Sequence, residues 1–164
     1  MNGQGYQSVG LTTASRYHDF SCGHRVWGHE SKCAHLHGHN YRVHFEVAMV
    51  LNKEGDVTGT DSVGRVMDFS VIKEILCMYL ENEWDHKFLV FEEDPWARIL
   101  KQTDPEGTVI VDFNPTAENM AQQLVDVIAP ELFGNEEVVA KYGHVKLIKC
   151  IVEETRKCSA TYQI

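Results

Sequence analysis

From Asn40 to Met49 the chain alternates clearly. Tyr41, Val43, Phe45, Val47 and Met49 fall on one parity, and Asn40, Arg42, His44 and Glu46 on the other. Successive side chains of a strand point to opposite faces, so this period of two predicts a half-buried antiparallel strand. Whatever the fold, it must seat that strand in a sheet and cover its apolar face.

The other elements are read around it. Gln7 to Val26 carries strand-compatible residues such as Tyr17, Phe20 and Cys22, and stops at the break Trp27-Gly28. Asn52-Lys53-Glu54-Gly55-Asp56 has turn chemistry, and a short extended piece at Val66 to Phe69 leads to a helix. That helix is expected over Ser70 to Asn82, capped by Ser70, with Val71, Ile72, Ile75, Leu76, Tyr79 and Leu80 as its apolar stripe. Phe88 to Asp104 shows no clear pattern; Pro105-Glu106-Gly107 is a turn, and Val109 to Phe113 reads as a short strand. A second helix is expected from the N-cap Thr116, with Glu118 where the helix dipole favours a carboxylate. Its stripe is Met120, Ala121, Leu124, Val125, Ile128 and Leu132, and Pro130 is expected to end it. Two strands close the chain near His144 to Glu154 and Cys158 to Ile164, joined tightly at Thr155 to Lys157. Strands, then helices, then strands imply an α+β domain, an antiparallel sheet with two helices on one face.

Composition narrows the function classes. A chain of 164 residues suits one domain with a core that needs no disulfides. Its net charge of −9 argues against a nucleic-acid surface, which needs clustered Lys and Arg. No stretch approaches the roughly 20 apolar residues of a membrane span. Met1 to Gly10 lacks the apolar core of a signal peptide. The five cysteines, Cys22, Cys33, Cys77, Cys150 and Cys158, read as reduced thiols of a cytoplasmic protein.

Chemistry concentrates just before the alternating strand, in Cys33-Ala34-His35-Leu36-His37-Gly38-His39. On a strand His35, His37 and His39 share a face, so neighbouring pairs can converge on one ion, and zinc favours imidazole nitrogen. Gly38 between two of them lets backbone approach closely. The bland alternative is a solvated or core-satisfied histidine cluster. Cys33 is either a fourth ligand of a closed structural site or an unligated thiol acting as base or nucleophile, and spacing does not separate the two. Asp85-His86 sets a carboxylate beside an imidazole at a helix exit, where the dipole alone would favour a histidine. Glu154, ending the apolar run Leu147, Ile148, Ile151 and Val152, reads by itself as an exposed residue.

Taken in order, these segments resemble the 6-pyruvoyl-tetrahydropterin synthase and 6-carboxytetrahydropterin synthase family. The matching pieces are Phe20-Ser-Cys-Gly-His24-Arg25, Cys33-Ala-His-Leu-His37-Gly-His39, Met67-Asp-Phe69, Trp84-Asp85-His86, Asn114-Pro-Thr116-Ala-Glu118 and Glu154-Thr155. The resemblance implies that His24, His37 and His39 bind Zn2+ and that His35 does not. It implies that Cys33 is the catalytic thiol and that Asp85 with His86 is the proton-transfer pair. By the same resemblance Glu154 holds the pterin's aminopyrimidine edge, against its reading as an exposed residue, and Thr116 lines the same pocket.

The implied fold is the tunnelling fold (T-fold), a four-stranded antiparallel sheet with two helices on one face, oligomerising through barrels. Such assemblies are homohexamers, dimers of trimers, with active sites between subunits, so that Cys33 and Glu154 can serve different pockets. The three residues between Cys33 and His37 resemble the bacterial 6-carboxytetrahydropterin synthases of the queuosine (7-deazaguanine, preQ0) route. The implied reaction is conversion of 7,8-dihydroneopterin triphosphate to 6-carboxy-5,6,7,8-tetrahydropterin, with release of acetaldehyde and triphosphate. The alternatives are a pyruvoyl-type synthase and a non-catalytic zinc protein. Cys22-Gly23 replaces small Ala residues of many relatives, so Cys22 either packs or alternates as a metal contact. The interval from His86 to Thr116 is long, and residues 88–113 read as a peripheral insertion in a single domain spanning 1–164.

Overall fold

The computed structural model describes residues 10–50 and 59–164. The turn expected at Asn52 to Asp56 and nearly all of Met1 to Gly10 lie outside the described residues.

The alternating segment is strand β2, His37–Met49, and Val43, Phe45 and Val47 are fully buried on its core face. Burying side chains of this size is worth about 1.5–3 kcal/mol each. β1, Ala14–His24, runs antiparallel beside it along its whole length, from Ala14↔Val47 to His24↔His37. The chain then turns at Gly28, whose φ of 81° suits glycine, and passes through a single 3-10 turn at Lys32–Ala34 before β2.

Helix α1 covers residues 69–83 as Phe69–Ile72, a wider i→i+5 turn at Lys73–Cys77, and Met78–Glu83. Its cap is Asp68 rather than Ser70. The Asp68 carboxylate accepts both the Ser70 N–H (2.8 Å) and the Ser70 hydroxyl (2.7 Å), so the serine is spent on the aspartate and sits inside the helix.

The patternless stretch after it contains β3, Phe88–Phe91, and α2, Ala97–Thr103, followed by β4, Thr108–Val111. β3 pairs parallel with the last two residues of β1, Gly23↔Phe88 and His24↔Leu89, and β4 pairs parallel with β3.

Helix α3 starts as expected, with the Thr116 hydroxyl accepting from Asn119 N–H at 3.2 Å. It covers residues 117–133 as Ala117–Gln123, Leu124–Ile128 and Ala129–Phe133, and so does not stop at Pro130. The middle turn is i→i+5 bonded, and Ala129 N–H already donates to Leu124 O. The ladder is therefore out of α-helical register just where proline has no N–H to give, and the ring is tolerated. A short helix that the sequence reading missed, α4, Glu136–Tyr142, is capped by the Asn135 side chain on Glu137 N–H and Val138 N–H.

β5, Val145–Thr155, and β6, Cys158–Gln163, complete the sheet, whose order is β4-β3-β1-β2-β5-β6. The central four strands are antiparallel, as expected, and β3 and β4 extend them at the β1 edge. Inward residues of α1 and α3, among them Ile72, Leu76, Leu80, Met120 and Leu124, pack with Tyr41, Val43, Phe45 and Val152 of the sheet into one core. The opposite face of the central strands is polar. Arg42 pairs there with Asp19 (2.7 Å) and His44 with Glu153 (2.6 Å).

Candidate metal centre

His24 ends β1 and lies directly across from His37, while His39 lies across from Cys22. These positions project from the face that carries Tyr41 and the core, so the three imidazoles meet at the rim of the core. Ring centroids are 4.4 Å apart for His24 and His37, 5.0 Å for His37 and His39, and 5.2 Å for His24 and His39. One ligand atom from each lies within 4.8 Å of the others. Gly38 is required because a Cβ there would meet the Cys22 carbonyl oxygen at 2.8 Å and Gly23 Cα at 3.3 Å. Gly38 thus lets β1 and β2 close up where they carry the histidines, while a Cβ at Gly23 would meet the Phe88 ring of β3.

Backbone carbonyls orient two of the rings. His24 Nδ1 lies 2.6 Å from Pro115 O, and His37 Nδ1 lies 2.8 Å from His35 O. A carbonyl only accepts, so both Nδ1 atoms carry the proton and both Nε2 atoms offer lone pairs. A ligand imidazole held from behind by a carbonyl is the usual support of a metal-binding histidine.

The electrostatics point the same way. His24 is 1% exposed, and its burial pushes the imidazole pKa down to about 4, with the neighbouring charges of His37 and His39 lowering it further against the Pro115 carbonyl. Burial also lowers His39, more than Glu154 raises it. Both rings are therefore neutral near pH 7, the form a metal takes. Glu154 Oε1 stands 3.5 Å from His24 Nε2 and 3.6 Å from His39 Nε2. With neutral rings these are not ion pairs, and the lone pair of His24 Nε2 faces the carboxylate oxygen. His39 Nε2 is buried and has no hydrogen-bond partner. A cluster of acceptors with an orphaned buried nitrogen fits a cation, and three imidazoles with one carboxylate nearby suit a borderline divalent ion.

The other expected site residues take the following places. Glu154 is half-buried against the triad of its own chain, as the alternation from Val152 dictates, and is not the exposed strand end that its type alone suggested. Asp85 Oδ1 accepts Ser21 N–H at 2.8 Å and its Oδ2 lies 2.6 Å from His86 Nδ1. Burial raises Asp85, but the Ser21 N–H and His86 outweigh it and hold the carboxyl below its ordinary value. His86 donates its N–H to Ser21 O at 2.7 Å, has a φ of 55°, and leaves its ring 81% exposed. A cleft of about 1140 Å³ joins His39 and Glu154 to Asp85 and His86.

Cys33 sits half-buried on the 3-10 turn, its carbonyl accepting Val26 N–H at 2.8 Å. Thr116 caps α3 next to Pro115. His35 contributes its carbonyl, and its ring is exposed. Cys22 is buried, its thiol lies 3.3 Å from Lys87 O, and burial pushes its pKa up to about 12, so it packs as a thiol.

Two contributors escaped the sequence reading. Tyr41 OH lies 3.2 Å from His24 Nε2. Its parity with His37 and His39 already put it on their face, but an aromatic in an apolar stripe reads as core. The Pro115 carbonyl carries no side-chain signal at all.

The molecule is thus an α+β protein whose central antiparallel sheet carries at one end three histidines that could hold a metal ion. It belongs to the 6-pyruvoyl tetrahydropterin synthase family, whose model matches residues 13–164. A 6-carboxy-5,6,7,8-tetrahydropterin synthase of Rickettsia felis is 33% identical over 145 residues, 87% of this chain and 99% of the relative. A Rickettsia typhi protein of the same name is 36% identical over 126 residues, 75% of this chain and 84% of the relative. Among solved structures, an uncharacterized protein of Wolinella succinogenes aligns with a TM-score of 0.66 at 22% identity, covering 93% of this chain and 97% of its own. The Caenorhabditis elegans 6-pyruvoyl tetrahydropterin synthase aligns with a TM-score of 0.58 at 21% identity, covering 95% and 97%. These two likenesses show the fold.

Proposed function

We propose that the protein is a zinc-dependent 6-carboxytetrahydropterin synthase, converting 7,8-dihydroneopterin triphosphate and water to 6-carboxy-5,6,7,8-tetrahydropterin, acetaldehyde and triphosphate. The observation that carries the reading is the convergence of His24, His37 and His39 beside Glu154, in a family whose curated relatives bear that name.

His24, His37 and His39 would hold the ion. Bound zinc supplies Lewis acidity that lowers the pKa of the substrate's side-chain hydroxyls. The chain's own residues do the rest. Glu154 accepts hydrogen bonds from the N–H groups of the aminopyrimidine edge, and Thr116 lines the pterin pocket. A site built to pair such groups discriminates strongly against analogues lacking them. Cys33, as thiolate, takes a carbon-bound proton beside the polarised oxygen. His86, its Nδ1 held by Asp85, moves a second proton at Nε2.

The exposure of the His86 ring supports a centre completed by a second copy of the chain, in a hexamer built as a dimer of trimers. The product belongs to the 7-deazaguanine route to queuosine. Among the described residues no helix is long and apolar enough to cross a membrane.

Incubation with dihydroneopterin triphosphate and mass spectrometry of the products tests the proposal. A carboxypterin with acetaldehyde supports it. A diketo pterin formed by loss of triphosphate alone would make the protein a pyruvoyl-type synthase instead.

A further inference from the structure

We propose that Asn114 is a positioning residue for His24, acting through the Pro115 carbonyl. The inference rests on the reading of the triad as a metal site.

His24 is the last residue of β1, so the sheet does not hold the backbone beyond it. Asn114 takes over that task. Its side-chain oxygen accepts Trp27 N–H at 3.0 Å, and its amide nitrogen donates to Trp27 O at 2.8 Å. A carboxamide offers both a donor and an acceptor at one tip, which a two-sided grip on one residue's backbone requires. The Asn114 carbonyl meanwhile accepts Thr116 N–H at 2.8 Å and the Asn119 side-chain amide at 2.9 Å, tying it to the start of α3. Between these ties stands Pro115, whose carbonyl receives His24 Nδ1–H at 2.6 Å.

The segment that Asn114 grips is itself anchored. Arg25 Nε lies 2.9 Å from Asp94 Oδ2, and the Arg25 guanidinium lies 3.8 Å from the Trp96 ring centroid. The Trp27 ring lies 5.9 Å from that of Phe91. Residues 25–27 are therefore a fixed reference for Asn114. Through it the Pro115 oxygen is set at the distance that keeps the proton on His24 Nδ1 and the lone pair on Nε2. Residues 88–115 act in this respect as the frame of the first ligand.

Zinc dissociation constants by chelator competition test this, alongside nitrogen NMR of the His24 imidazole in the metal-free protein. Asn114→Ala is expected to weaken zinc binding about tenfold, the lower end for a group supporting a ligand, and to mix the two tautomers of His24. Asn114→Asp keeps the acceptor and loses the donor, and is expected to fall between. Unchanged affinity and an unchanged Nδ1–H tautomer in both variants overturn the proposal, even if melting temperature drops, because a merely structural asparagine moves only the latter. If Asn114→Ala does not fold, the same two readings on Asn114→Asp decide. A wild-type protein that binds no zinc removes the metal reading and this proposal together, whereas wild-type binding with unaffected variants removes this one alone.

Discussion

His24 and Pro115 are 91 residues apart in sequence, yet the histidine's Nδ1 and the proline's carbonyl oxygen approach to 2.6 Å in the buried corner where β1 ends and α3 is about to begin. That contact sets which nitrogen of His24 faces the site, and it makes the ring's behaviour predictable.

His24 has its pKa pushed from the ordinary 6.5 down to about 4, by burial first. A depressed histidine contributes stability above its unfolded pKa and loses it as pH falls toward the folded one. Between pH 6.5 and 4 the unfolded chain holds about one more proton than the folded chain on this residue. Stability of the metal-free protein should fall by about 1.4 kcal/mol per pH unit across that window, with His39 adding in the same direction. Urea titrations at stepped pH check this, and His24→Gln should flatten the slope.

Tyr41 donates to His24 Nε2 at 3.2 Å, the atom that a metal would take. Tyr41→Phe should lower the stability of the metal-free protein by about 1 kcal/mol. Its zinc affinity should be unchanged or tighter, because no hydrogen bond then has to be broken. Calorimetric titration of both proteins tests it, and a large loss of affinity would contradict the assignment.

Arg25 and Asp94 are both buried, close at 2.9 Å but not aligned for a hydrogen bond, so charge is the main link between them. Removing one partner leaves the other charge uncompensated. Asp94→Ala should cost about 3–5 kcal/mol. The double variant Arg25→Met/Asp94→Leu should cost clearly less than the sum of its single changes. Denaturant unfolding of the four proteins supplies the cycle.

The cysteines should sort by burial. Cys158 is exposed and Cys33 half-buried, whereas Cys22, Cys77 and Cys150 are buried, and burial raises all three of these thiols. Brief alkylation of the folded protein near pH 8 should label Cys158 and Cys33 and spare the rest, as read by peptide mass spectrometry. Labelling of Cys22 would contradict its packed position.

What was legible in the sequence follows from the range of the interactions involved. The Tyr41 to Met49 alternation needs only the chain's own period, and it placed β2 and, by parity, His37 and His39 on one face. His24 has no such local signal. It joins them through the register of β1, which the Gly23–Gly38 pairing permits, and only the family resemblance pointed to it. Ser70 was expected to cap α1 because it is a good cap, but Asp68 two residues earlier accepts its N–H and its hydroxyl together. Pro130 reads as a stop because the rule assumes an α-helical ladder, and the wide turn before it removes that premise. Phe88–Phe91 is too short to show a period, and becomes a strand by pairing with Gly23 and His24. Glu136 and Glu137 are exposed acids that carry no apolar stripe to announce the short helix they open, which Asn135 caps.

The most direct test of the account is to follow zinc content and turnover together as a chelator strips the protein and zinc is returned. One zinc per chain is expected, with loss and recovery of activity in parallel, and neither in His37→Ala. Full turnover of dihydroneopterin triphosphate by the metal-free protein would contradict it.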